Sequence, residues 1–119
     1  MGRFAELAHG KSGEPALERA LLDIFEEAYE LFCTKQRDYG RGNISKFGQL
    51  GVLVRTSDKV ERLSNLILGG RVASNEPIED SWKDILNYGA IGLLCLKGQW
   101  PEQKKYDSSS RFSDADSTT

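Results

Sequence analysis

Pro15-Ala-Leu-Glu-Arg-Ala-Leu-Leu-Asp-Ile-Phe-Glu-Glu-Ala-Tyr-Glu-Leu-Phe-Cys-Thr-Lys-Gln-Arg-Asp-Tyr39 reads as one long helix, and its reading sets the fold class. Leu17, Leu21, Ile24, Ala28 and Leu31 recur at spacings of three and four, the period of one helix face, and Phe25, Tyr29 and Phe32 widen the stripe. Proline suits a helix's first turn, where its missing N–H costs nothing, so Pro15 opens the segment; Gly40 and Gly42 close it.

The same period recurs downstream. Gln49 to Leu68 is expected to be a second helix, with Leu53, Val60, Leu63 and Ile67 turned toward a core and Gly69-Gly70 as its stop. Pro77 opens a third, with Ser74 or Asn75 as caps, Ile85, Gly89, Gly92 and Leu96 on one face, and Gly98 and Pro101 as terminators. Beyond Ile85 apolar residues surround its axis, which marks a central helix or one in a subunit interface. Gly40–Gly51 is glycine-rich, a loop or short helix. No strand-like alternation or internal repeat occurs. The expectation is an all-α bundle of about four helices spanning residues 15–100, packed as an oligomer, between a flexible N-terminus (1–14) and a disordered serine- and aspartate-rich tail (101–119).

The 119 residues carry 39% hydrophobic and 29% charged side chains and a net charge of −2, which suits one ordinary globular domain and speaks against a nucleic-acid binder. No apolar run is long enough for a membrane span, and the N-terminus lacks the apolar core of a secretory signal, so a cytoplasmic protein is expected. Cys33 and Cys95 sit in apolar helical segments and read as reduced, buried thiols. The charge is unevenly spread. Residues 1–34 sum to −4, residues 35–71 to +5 and residues 72–100 to −2. Outer segments that hold cations around a middle one that holds an anion would show this layout; so would solvated faces of differing sign.

Three acidic stations carry the functional signal. On the first helix Glu27 and Glu30 flank the apolar stripe while Glu26 projects to the other side. On the second, Arg55, Asp58, Lys59 and Arg62 share a face that Gly48 and Gly51 precede, where bare backbone invites close approach by a ligand; intrahelical ion pairs such as Asp58 with Arg62 account for the alternation equally well. On the third, Asp80, Asp84 and Asn87 line up at spacings of four and three. The helix dipole explains Glu79 and Asp80 in the first turn but explains Asp84 poorly, since helix interiors disfavour aspartate. Clustered carboxylates suit Mg²⁺, or Mn²⁺, and hard cations beside lysine and arginine handle phosphate. His9 reads as incidental, and Trp82 and Trp100 as core or interface rather than a stacking platform. No Walker loop, dinucleotide fingerprint or nucleophilic constellation is present.

Glu26-Glu27-x-x-Glu30 followed by Asp80-Ser-Trp-Lys-Asp84 and an apolar run resembles the MazG-like all-α nucleoside triphosphate pyrophosphohydrolases. More closely, Lys35-x-x-Asp38-Tyr39-Gly40, Asn43, Phe47-Gly48, Gly51, Arg55-x-x-Asp58-Lys59-x-x-Arg62-Leu63 and Asp80-x-x-x-Asp84 resemble the small phage and bacterial nucleotide-modification-associated domains, over residues 15–97. Where the wider superfamily has Glu-x-x-Asp, this chain has Asp80 and Asp84 with Ser81 at the glutamate's place, and Asp58 becomes a further candidate ligand. The resemblance implies Mg²⁺-dependent cleavage of a nucleoside triphosphate to monophosphate and pyrophosphate, in nucleotide-pool control or phage DNA modification. It implies that Glu27, Glu30, Asp80 and Asp84 hold metal and that Glu27 or Glu30 acts as base. Lys35, Lys46, Arg55, Lys59 and Arg62 would offset phosphate charge, Tyr39, Phe47 or Tyr88 would stack on the base, and Asn43 or Asn87 would read its edge. A homodimer or homotetramer is implied as well. The alternatives are a nucleotide-binding module without turnover and a helical interaction protein.

Overall fold

A computed structural model describes residues 2–39, 46–70 and 78–101, and every regular element among them is helical. A 3₁₀ turn at Phe4–Leu7 precedes α1 (Pro15–Tyr39), α2 (Gln49–Leu68) and α3 (Ile78–Leu96). None of these helices is long and apolar enough to cross a membrane. The chain divides into two compact units, Met1–Asp38 and Tyr39–Thr119.

In the first unit the N-terminal segment is tied to α1 through two carboxylates. The Phe4 N–H donates to Glu26 Oε1 at 2.9 Å, and the Phe4 ring lies 5.7 Å from that of Tyr29. Farther along, Glu18 collects the backbone N–H groups of His9, Gly10 and Ser12 at 3.2, 2.7 and 2.7 Å, together with the Ser12 hydroxyl. The carboxylate thereby satisfies donors that would otherwise be left open just ahead of the helix. The hydrogen bonds from Ser12 dominate in holding the Glu18 pKa down to about 2. Glu14 accepts the first intrahelical bond, from Glu18 N at 3.0 Å, so α1 starts where Pro15 places it. A hydrogen bond with the Cys33 thiol pushes the Tyr29 hydroxyl up in pKa. The composition of residues 1–14 gave no hint of this 3₁₀ turn or of its two latches.

In the second unit α2 and α3 form a hairpin. A Cβ added at Gly92 would lie 3.8 Å from Val52 Cγ1, and Lys59 Nζ lies 3.0 Å from Asp84 Oδ2. Moving seven residues forward on α2 moves eight backward on α3, so the two helices run antiparallel. The Thr56 hydroxyl donates to Val52 O at 2.8 Å, which satisfies it within α2. Gly98, at φ 71°, ends α3: Gln99 N reaches Leu94 O at 2.8 Å and Gly98 N reaches Cys95 O at 3.1 Å, a closing pattern that needs a left-handed residue. Trp100, just beyond, is buried, and burial pushes the Cys95 thiol up in pKa.

The helix boundaries expected from sequence agree with those observed; the buried faces do not. On α2 the buried residues are Val52 and Leu63, whereas Leu53, Val60 and Ile67, also expected in the core, are exposed. On α3 the buried line is Ser81, Asp84, Ile91 and Cys95, while Leu96 and Gly89 from the expected face are exposed. The reason is the ion pair. Lys59 and Asp84 neutralise one another between the helices, so the face that holds them can be buried although it carries polar residues.

Candidate functional site

Helical periodicity divides the α2–α3 hairpin into two edges. Leu53, Val60 and Ile67 lie to one side of the buried Val52–Leu63 line of α2; Arg55, Lys59 and Arg62 lie to the other. On the apolar side, Val60, Leu63 and Ile67 meet Trp82 and Ile85 of α3 around an open groove of about 220 Å³. On the charged side, Lys59 meets Asp84. Extending the antiparallel register from these contacts puts Arg62 at the level of Ser81 and Arg55 at the level of Tyr88.

Asp84 keeps 3% of its side-chain exposure and Lys59 20%, so the pair is screened only weakly by solvent. Ser81, one turn before Asp84, is the most deeply buried side chain of the hairpin, at 0%. Asp80 is half-buried on the same flank of α3, one turn from Asp84, and Asn87 is half-buried three residues beyond it. Arg62 is half-buried with its Nε fully enclosed; Arg55 is half-buried and Asp58 exposed. Three cationic and three anionic side chains therefore share the charged edge. By contrast Glu79 pairs with Lys83 at 2.9 Å, one turn along the exposed surface, and stands apart from this group.

The remaining candidates are placed as follows. On α1, Glu27 and Glu30 are exposed, Glu27 within an interaction of its own, and Lys35 is half-buried. Glu26, expected on the other side of α1 from Glu27 and Glu30, carries the latch on Phe4. Lys46 and Phe47 are helical and exposed, and Tyr88 is half-buried. Asn43 and the Tyr39 side chain lie outside the described residues, as do residues 71–77 and the tail from 102. Ser81 is the residue whose position sequence reasoning missed: it counted only as a replaced glutamate, and a small polar residue gives no hydropathy signal for complete burial.

Among the described residues no three His, Cys, Asp or Glu side chains converge closely enough to hold a metal ion together. The donor chemistry of the charged edge nonetheless fits Mg²⁺. Asp80 and Asp84 offer hard oxygen ligands one helical turn apart, and Mg²⁺ is commonly held by one or two carboxylates with phosphate oxygens and water completing its shell. Neighbouring Lys59, Arg55 and Arg62 can meet the phosphates that such an ion brings.

No protein-family model matches this chain, and neither does any curated protein or solved structure.

Proposed function

We propose that the chain is an Mg²⁺-dependent nucleoside triphosphate pyrophosphohydrolase of the MazG-like kind, converting a nucleoside triphosphate and water to the monophosphate and pyrophosphate. The observation that carries this reading is the buried Asp84 on a hairpin edge lined by Lys59, Arg55 and Arg62, with Asp80 one turn away. Burying an aspartate in a helix interior costs stability unless it is compensated, and a structural role alone is filled more cheaply by an apolar residue.

In this reading Asp80 and Asp84 would hold Mg²⁺, with Asp58 the alternative ligand that the resemblance offers; the ion would polarise the phosphate and lower the pKa of an attacking water. The resemblance assigns Glu27 and Glu30 a share of the metal and gives one of them the proton from that water. Water attacks phosphorus, the bond between the α and β phosphates breaks, and pyrophosphate leaves. Arg55 and Arg62 offset the charge that gathers on the phosphate oxygens, arginine being suited to bidentate contact. Lys59, the counter-ion of Asp84, would also offer its ammonium to the phosphate oxygens of a bound triphosphate. Lys35 and Lys46 add positive charge, and Phe47, Tyr39 or Tyr88, with Asn43 or Asn87, meet the base. Pyrophosphate release from a panel of ribo- and deoxynucleoside triphosphates, with and without Mg²⁺, tests the reading. Asp84→Ala and Glu30→Ala should abolish release; undiminished activity in both would defeat it.

A second reading has its own support. Asp84 is already neutralised by Lys59, and the charged edge is balanced as it stands, which suits a nucleotide-binding module without turnover. Such a module would be stabilised against heat by nucleotide while yielding no pyrophosphate.

A further inference from the structure

We infer that Lys59 occupies the divalent cation's place at Asp84, so that the chain alone excludes the ion and admits it only together with a triphosphate. The inference deepens the proposed function and rests on its assignment of Asp84 as a cation ligand. It does not require that the triphosphate be hydrolysed.

The two halves of the ion pair are unequally held. Lys59 Nζ lies 3.0 Å from Asp84 Oδ2, an oxygen fully enclosed by the hairpin. Asp84 keeps 3% of its side-chain exposure, whereas Lys59 keeps 20%. Lysine carries a compact charge on a flexible four-carbon stem, so the ammonium is the half that can move and the carboxylate the half that stays. Ser81, wholly buried one turn before Asp84, brings no second negative charge that would need balancing beside it. Departure of the ammonium by itself would strand a charge in a poorly solvated place. Lys59 therefore leaves only when another cation takes over Asp84.

A dication cannot simply be added. Mg²⁺ and the ammonium together would bring three positive charges to Asp84 and Asp80, which supply two negative ones. Exchange needs a second anion to receive the ammonium, and the edge is equipped to hold phosphate beside Lys59 through Arg55 and Arg62. Arg55, Lys59 and Arg62 stand against Asp58, Asp80 and Asp84, so the edge has no net charge with which to draw in a bare dication or a bare polyanion. It matches a ligand that carries both signs, the complex of a divalent cation with a triphosphate. Metal and nucleotide then bind with positive coupling, and linkage makes that coupling reciprocal.

Titration with Mn²⁺ alone, followed by the electron paramagnetic resonance signal of the free ion, provides the test. The wild type should bind weakly and Lys59→Met at least about tenfold more tightly, since a neighbouring positive charge alters a carboxylate's affinity for a proton by that order or more. Lys59→Met/Asp84→Asn should lose the gain. With the Mn²⁺ complex of an α,β-methylene triphosphate in place of the bare ion, the advantage of Lys59→Met should vanish or reverse, because the wild-type ammonium then gains the phosphates. Thermal unfolding gives a second reading where Lys59→Met is poorly folded: Mn²⁺ should restore the stability that the substitution removes, while sodium chloride at equal ionic strength should not. Equal Mn²⁺ binding by wild type and Lys59→Met, a gain that survives Asp84→Asn, the same gain for bare ion and complex, or a Lys59→Met protein that Mn²⁺ fails to stabilise would each overturn the inference. A protein that shows the expected differences yet releases no pyrophosphate would lose the hydrolase reading and keep this one.

Discussion

Lys59 and Asp84 close an ion pair of 3.0 Å between α2 and α3, with Asp84 almost wholly withdrawn from solvent. Removing one partner of such a pair leaves the other charge in a poorly solvated place. Lys59→Met should therefore lower unfolding stability by about 2–3 kcal/mol, short of the cost of a fully buried pair because Lys59 keeps a fifth of its exposure. Adding Asp84→Leu should restore most of the loss. Urea unfolding of the two variants decides; a double variant no more stable than Lys59→Met would show that the pair is not what holds this face together.

Glu18 gives the N-terminal unit a pH dependence of known sign. Its folded pKa is about 2, below the ordinary value of 4.5, so its contribution is fully present above pH 4.5 and fades as pH falls toward 2. Relative to the intrinsic exchange rate at each pH, protection of the Gly10 and Ser12 amides should fall over that window in the wild type. In Glu18→Gln the same amides should lack protection at every pH, with no acid-dependent step.

Gly2 lies against the Glu26 carboxylate so closely that an added Cβ would overlap it. Gly2→Val should push the segment off its latch, breaking the Phe4–Glu26 hydrogen bond and separating the Phe4 and Tyr29 rings. The expected signs are loss of protection at the Phe4 amide and changed Tyr29 ring shifts in NMR spectra, with α1 intact by circular dichroism. An unchanged Phe4 amide would contradict the contact.

The helices were legible from sequence because their ends are marked by residues with backbone consequences: Pro15 at the start of α1, the Gly69-Gly70 pair after α2, and Gly98 after α3. Their faces were not. Counting apolar residues on α2 picks out Leu53, Val60, Leu63 and Ile67, yet only Leu63 is buried, because Thr56 and Lys59 complete the inner face once their polar ends are satisfied. On α3 the same counting turns Asp84 outward, and nothing in a hydropathy pattern announces that Lys59 waits across the hairpin. The acidic and basic residues of the site were readable as types at helical spacing; the Lys59–Asp84 contact and the complete burial of Ser81 depend on the pairing of two helices.

Stability measurements separate these two descriptions of α2. Leu63→Ala, at a buried position, should cost about 2–4 kcal/mol. Leu53→Ala, at an exposed one, should cost under about 1 kcal/mol under conditions where the chain is a monomer. Equal losses would return Leu53 to the core.

Pyrophosphate release, measured with Mg²⁺ over a panel of nucleoside triphosphates for the wild type and for Asp84→Asn, bears most directly on the proposed chemistry. Asparagine keeps the size of the side chain and removes its charge. The account expects Mg²⁺-dependent release by the wild type and a loss of about 100-fold or more in the variant, with the fold retained by circular dichroism. No release from any triphosphate, or equal release by the two proteins, would contradict it.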